Sequence, residues 1–137
     1  MTEHMIRLRG GWTLLGRETE DRPTKLTLPL TSFPGRPGNL VFSRFFQRPP
    51  LANPGQTLWL QLESVPGLKS ITINRQELAR TNPEAPIERL FLGNDLPDRN
   101  QLVLSVDSNV RLQERWGCIA LVIQDEDRLA SADRSSE

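Results

Sequence analysis

Hydrolytic, nucleophilic and metal chemistry each demand a recognisable set of side chains, and this sequence holds few of them. Its one histidine, His4, lies in a charged N-terminal segment, so a serine or cysteine nucleophile would lack a well-placed base. With one histidine and one cysteine, Cys118, the chain can build neither a multi-histidine metal site nor an internal disulfide framework. Glycoside hydrolysis needs two carboxyl groups held about 5–10 Å apart in a cleft. Glu63, Glu77, Glu88, Asp95, Asp98 and Asp107 fall in turns or on polar strand faces and read as solvated surface. Asn94-Asp95 with Asp98 offers a few of the several loop oxygens that a calcium ion takes. The loop Gly35-Arg36-Pro37-Gly38 has a proline where a phosphate-binding turn needs backbone N–H groups. The expectation is a protein that is not an enzyme and carries no cofactor.

Binding requires less. A saccharide site needs an exposed flat aromatic to stack on the C–H face of a pyranose, with planar donors and acceptors around it. Trp59 lies opposite the face formed by Leu58, Leu60 and Leu62, so it either packs under a loop or meets a ligand. Trp116, between Arg115 and Gly117, is a contact residue or a loop anchor, whereas Trp12, just ahead of Leu14-Leu15, belongs in the core. Arginine outnumbers lysine 15 to 2. Arg44, Arg75, Arg89, Arg111 and Arg115 sit on or beside strands, where a guanidinium forks onto carboxylates and stacks on aromatics. An acidic sugar or acidic partner would suit them, and so would ordinary surface ion pairs. The candidate ligand-binding set is Trp116, Trp59, Arg115, Arg44 and Arg75.

The elements that must position these residues are strands. Eleven prolines and nine glycines leave no helical pattern longer than a turn or two. Between them run segments of period-two alternation. At Met5–Leu8, Ile6 and Leu8 face in while Arg7 and Arg9 face out. Leu26–Leu28, Leu40–Gln47, Thr57–Glu63, Ser70–Ile73, Pro86–Leu92 and the segment around Leu102–Val106 follow, with Asn74-Arg75-Gln76-Glu77 as a hairpin turn. Cys118–Ile123 is continuously apolar, as in a strand buried on both faces. About eight strands without helices spell an all-β fold, an antiparallel β-sandwich or jelly roll in a single domain over 1–124, with a disordered tail over 125–137. A chain of 137 residues suits one such domain. Equal numbers of basic and acidic residues, 17 each, argue against nucleic acid. No run approaches the ~20 apolar residues of a membrane span, and no export signal is visible, so the expected location is the cytoplasm.

The order of these motifs resembles the N-terminal sugar-binding domain of glycoside hydrolase family 2, a galactose-binding-like jelly roll. Gly11-Trp12 stands where that family has an early Trp. Val41-Phe42-Ser43-Arg44-Phe45-Phe46-Gln47-Arg48-Pro49 is similar to its W-Y-R-R-x-F-x-x-P strand. Leu58–Leu62 followed by Ile71-Thr72-Ile73-Asn74 is similar to its central hairpin, with Asn74-Arg75 in place of Asn-Gly. Leu96 through Val106 and Gly117–Val122 resemble its last two strand motifs. The family carries its catalytic carboxylates in a separate barrel. The resemblance therefore implies a fold and a sugar-binding ancestry without hydrolysis. Two functions remain in view: a non-catalytic, carbohydrate-binding module, or a protein-interaction domain with no sugar ligand. The expected partner is a saccharide or a protein, not nucleic acid or a membrane.

Overall fold

A computed structural model describes residues 3–15, 24–31, 33, 38–51, 55–80, 82, 84–109 and 115–125. They form ten strands and no helix: β1 (Glu3–Arg7), β2 (Trp12–Leu15), β3 (Thr24–Leu26), β4 (Asn39–Gln47), β5 (Gln56–Glu63), β6 (Leu68–Ile73), β7 (Gln76–Glu77), β8 (Ile87–Gly93), β9 (Arg99–Asp107) and β10 (Cys118–Asp125). All pairings are antiparallel. One sheet has the order β1-β10-β5-β8, the other β3-β2-β4-β9-β6-β7. The expected β-sandwich is present. No helix among these residues is long and apolar enough to cross a membrane.

Alternation explains which face each strand buries. Leu58, Leu60 and Leu62 of β5 and Ile119, Leu121 and Ile123 of β10 turn inward to meet Leu40 and Phe42 of β4 and Leu102, Leu104 and Val106 of β9. Each such side chain contributes about 1.5–3 kcal/mol when removed from water. β10 sits between β1 and β5, and Ala120 and Val122 on its other face are buried too. Its apolar run is therefore that of a strand covered on both sides. Trp12 is fully buried and donates its indole N–H to the Leu8 carbonyl at 2.8 Å.

Several expectations need correcting. Two short strands, β2 and β7, escaped the alternation rule because four and two residues are too few to show a period. The strand expected at Leu26–Leu28 ends at Leu26; Leu28 instead donates its N–H to the Arg9 carbonyl and buries its side chain. Asp125, assigned to a tail, is the last residue of β10, and the rest of that tail lies outside the described residues. Glu88 is not solvated surface. It faces the core from β8 with its side chain 2% exposed, and Arg80 donates to it through Nε and Nη2 at 3.0 and 2.7 Å. The backbone N–H of Asn82 reaches its second oxygen at 3.0 Å.

Candidate functional site

The outer face of the four-stranded sheet is laid out in transverse rows. Register places Met5 beside Val122, Val122 beside Trp59 and Trp59 beside Phe91, an apolar row across all four strands. The next row reads Arg7, Ala120, Gln61, Arg89, and the one after it Cys118, Glu63, Ile87. Arg89 crosses this face. Its Nε donates to Gln61 Oε1 at 2.9 Å, and Nη1 and Nη2 reach the two carboxylate oxygens of Glu3 at 2.7 and 3.1 Å. β8 and β1 are the two edges of the sheet, so this forked pair straps one edge to the other. The hydrogen bond from Arg89 holds the Glu3 carboxyl below the ordinary glutamate value, and the same bond raises the Arg89 guanidinium above its own.

Beside Arg7, Ala120 and Gln61 the face dips into a cleft of about 540 Å³ that also reaches Met5 of the apolar row. Its lining includes Ala120 and Gln61, both buried, with Leu28 from the loop after β3. Arg7, Arg9 and Arg115 are exposed around it, together with Thr27, Thr31 and the half-buried Glu63. The loop holding Arg115 is fixed from below. Trp116 exchanges both backbone hydrogen bonds with Leu30 at 2.7 Å, and the Gly117 N–H donates to the Ser64 carbonyl. Gly117 has φ +91°, and a Cβ there would stand 3.1 Å from Leu28 Cδ1. A glycine is what lets the loop turn into β10 while lying against Leu28.

The cleft has an uneven charge balance. Arg89, Arg80 and Arg48 are paired with Glu3, Glu88 and Asp98. Arg44 donates to the Gly10 and Phe45 carbonyls, and Arg99 lies 4.4 Å from the Phe45 ring centre. Arg7, Arg9 and Arg115 have no such partner among the described residues. Neither has Glu63, and Gln61 uses only its Oε1, so its amide N–H groups have no partner among the described residues. The arrangement can hold an anion and can exchange hydrogen bonds with hydroxyls. It holds no pair of carboxylates, and no group of three or more His, Cys, Asp or Glu among the described residues is placed to hold a metal.

Of the five residues singled out from the sequence, only Arg115 lines this cleft. Trp59 shares the outer face one row away, half-buried, edge-to-face with Phe91 at 5.0 Å and donating to Thr57 Oγ1 at 3.0 Å. Trp116, open between contact residue and loop anchor, is placed as the anchor. It is 0% exposed, its indole N–H donates to the Pro66 carbonyl, and it packs edge-on to Phe42 with ring centres 5.4 Å apart. Arg44 belongs to the opposite sheet and clamps the loop before β2 to β4 through the Gly10 carbonyl at 2.6 Å. Burial alone lowers its guanidinium below the usual value. Arg75 is exposed at the β6–β7 turn, again on the other sheet, and Arg111 lies outside the described residues. Sequence reasoning missed Arg7, Arg9, Thr27, Thr31 and Gln61 as site residues. The outward alternation of Arg7, Arg9 and Gln61 was visible; the pairing of β1 with β10 that brings Arg7 beside Ala120 and Gln61 was not.

No protein-family model and no curated relative matches this sequence. Solved structures do. An FMN-binding β-glucuronidase from Facaelibacterium prausnitzii L2-6 superposes with a TM-score of 0.68 at 19% identity, over 88% of this chain and 22% of its own. A β-glucuronidase from an uncultured Clostridium gives 0.68 at 14% identity, over 90% of this chain and 29% of that one. A β-galacturonidase from Eisenbergiella tayi gives 0.64 at 15%, over 89% and 24%. What the chain shares with these glycosidases is a β-sandwich fold, matched to a part of each enzyme that is about a quarter of its length.

Proposed function

We propose that the chain is a non-catalytic binding module and that the cleft on the outer face of its four-stranded sheet takes a saccharide. One observation carries the reading: hydrogen-bonding groups with no partner among the described residues, on Arg7, Arg9, Arg115, Gln61 and Glu63, surround a 540 Å³ depression with a partly apolar lining. Sugars need both donors and acceptors because each hydroxyl is both, and such sites are concave with a few placed polar groups. The fold shared with enzymes that act on glycosides agrees with this, although fold alone assigns no function. Titrating isotope-labelled protein with a panel of monosaccharides tests it. Amide shifts at Arg7, Gln61, Cys118 and Ala120 are expected at tens of millimolar sugar, and a panel that moves none of them overturns the reading.

A protein-interaction role is the second reading, and it too has an observation behind it. Met5, Ile87 and Phe91, between 40% and 54% exposed, all belong to this same sheet face. Light scattering across a concentration series, repeated after Phe91→Ser, separates the two. A monomer at every concentration counts against self-docking through the row.

A further inference from the structure

We infer that the saccharide held in this cleft is an acidic one, bearing a carboxylate that the arginines neutralise; the inference rests on the saccharide reading above. The argument starts from how this chain treats its other arginines. Each described arginine on β4, β8 or β9, and Arg48 and Arg80 in the loops, meets a carboxylate, a carbonyl or a ring. Four meet nothing among the described residues: Arg75 at a turn tip, and Arg7, Arg9 and Arg115. Three of those four line one cleft. They come from β1, from the segment after it and from the loop before β10, so no single stretch of sequence accounts for the gathering. Three guanidinium groups against the one carboxylate of Glu63 leave the lining at +2, on a chain whose formal charges sum to zero.

Glu63 decides what kind of anion fits. As a carboxylate it accepts hydrogen bonds and donates none. A bare sulfate offers it no donor and is repelled by it. A sugar acid offers both halves of the match, hydroxyl donors for Glu63 and a carboxylate for the guanidinium forks. Thr27 and Thr31 and the free amide N–H groups of Gln61 serve the remaining hydroxyls and the ring oxygen.

The test is the same labelled chain titrated separately with D-glucuronate, D-glucose and sodium sulfate. Glucuronate is expected to shift the cleft amides and to bind about tenfold more tightly than glucose, the scale of one charge-assisted hydrogen bond. Arg7→Gln and Arg115→Gln should each remove most of that preference while leaving the melting temperature in place, because both side chains are exposed. Added salt should narrow the gap between the two sugars. Glucose and glucuronate binding equally in the cleft would overturn the acidic preference and leave the saccharide reading standing. Sulfate matching glucuronate would overturn it in favour of a plain anion site. No response to either sugar would overturn both.

Discussion

Trp116 shows how a single side chain can be misjudged from its neighbours. Arg115 before it and Gly117 after it mark a surface loop, and nothing local says that the indole between them points inward. Its burial follows from the two-residue bridge with Leu30 and from Phe42 across the core, both remote in sequence. Trp116→Ala is accordingly expected to cost about 3–5 kcal/mol of stability by denaturant melting, where a ligand-contact residue would cost little. Glu3 makes the opposite case, an exposed group with a measurable tie. Its folded-state pKa lies below the ordinary value of 4.5, first through the hydrogen bond from Arg89. That contribution is therefore present above 4.5 and is lost as pH falls through the lower folded value. Glu3 is largely solvated, so the effect is well under 1 kcal/mol. Melting curves below pH 4.5 should fall less steeply for Glu3→Gln than for the parent chain.

Strands were the most legible part of the sequence, and what held them in place the least. The alternation of Leu58, Leu60 and Leu62 gave the inner face of β5 correctly, and the same rule put Glu88 on the face of Leu90 and Leu92. What alternation alone left unseen was that this face is buried and that Arg80, eight residues back, meets the carboxylate there. Glu88→Ala strands that guanidinium, 14% exposed, and should destabilise the fold by about 3–5 kcal/mol. Replacing the pair together, Arg80→Met with Glu88→Leu, should recover most of the loss. The β6–β7 turn offers a gain instead. Asn74 and Arg75 both have positive φ, 51° and 70°, the pattern of a tight hairpin that favours Asn-Gly. Arg75→Gly relieves about 1–2 kcal/mol of left-handed strain against ~0.5–1 kcal/mol of added chain entropy. A net gain of about 0.5 kcal/mol is expected, with saccharide titration unchanged because Arg75 lies on the other sheet.

At the scale of the whole molecule, the sandwich class was readable because strands without helices admit few alternatives. The strand order was not. It depends on pairings such as Glu3 with Gln124, side chains 121 positions apart, and no local pattern encodes a partner at that distance. The cleft is a product of those distant pairings, which is why Arg115 alone among its arginines was singled out in advance. The same arrangement has a consequence for biosynthesis. β10 is the last of the described strands in chain order, yet it is the one that joins β1 to β5. A nascent chain on the ribosome carries both neighbours for most of its synthesis with their backbone edges open. Products halted ahead of Cys118 should collect in the insoluble fraction when expressed, whereas a chain whose β10 has slid between those edges has nothing there left to pair.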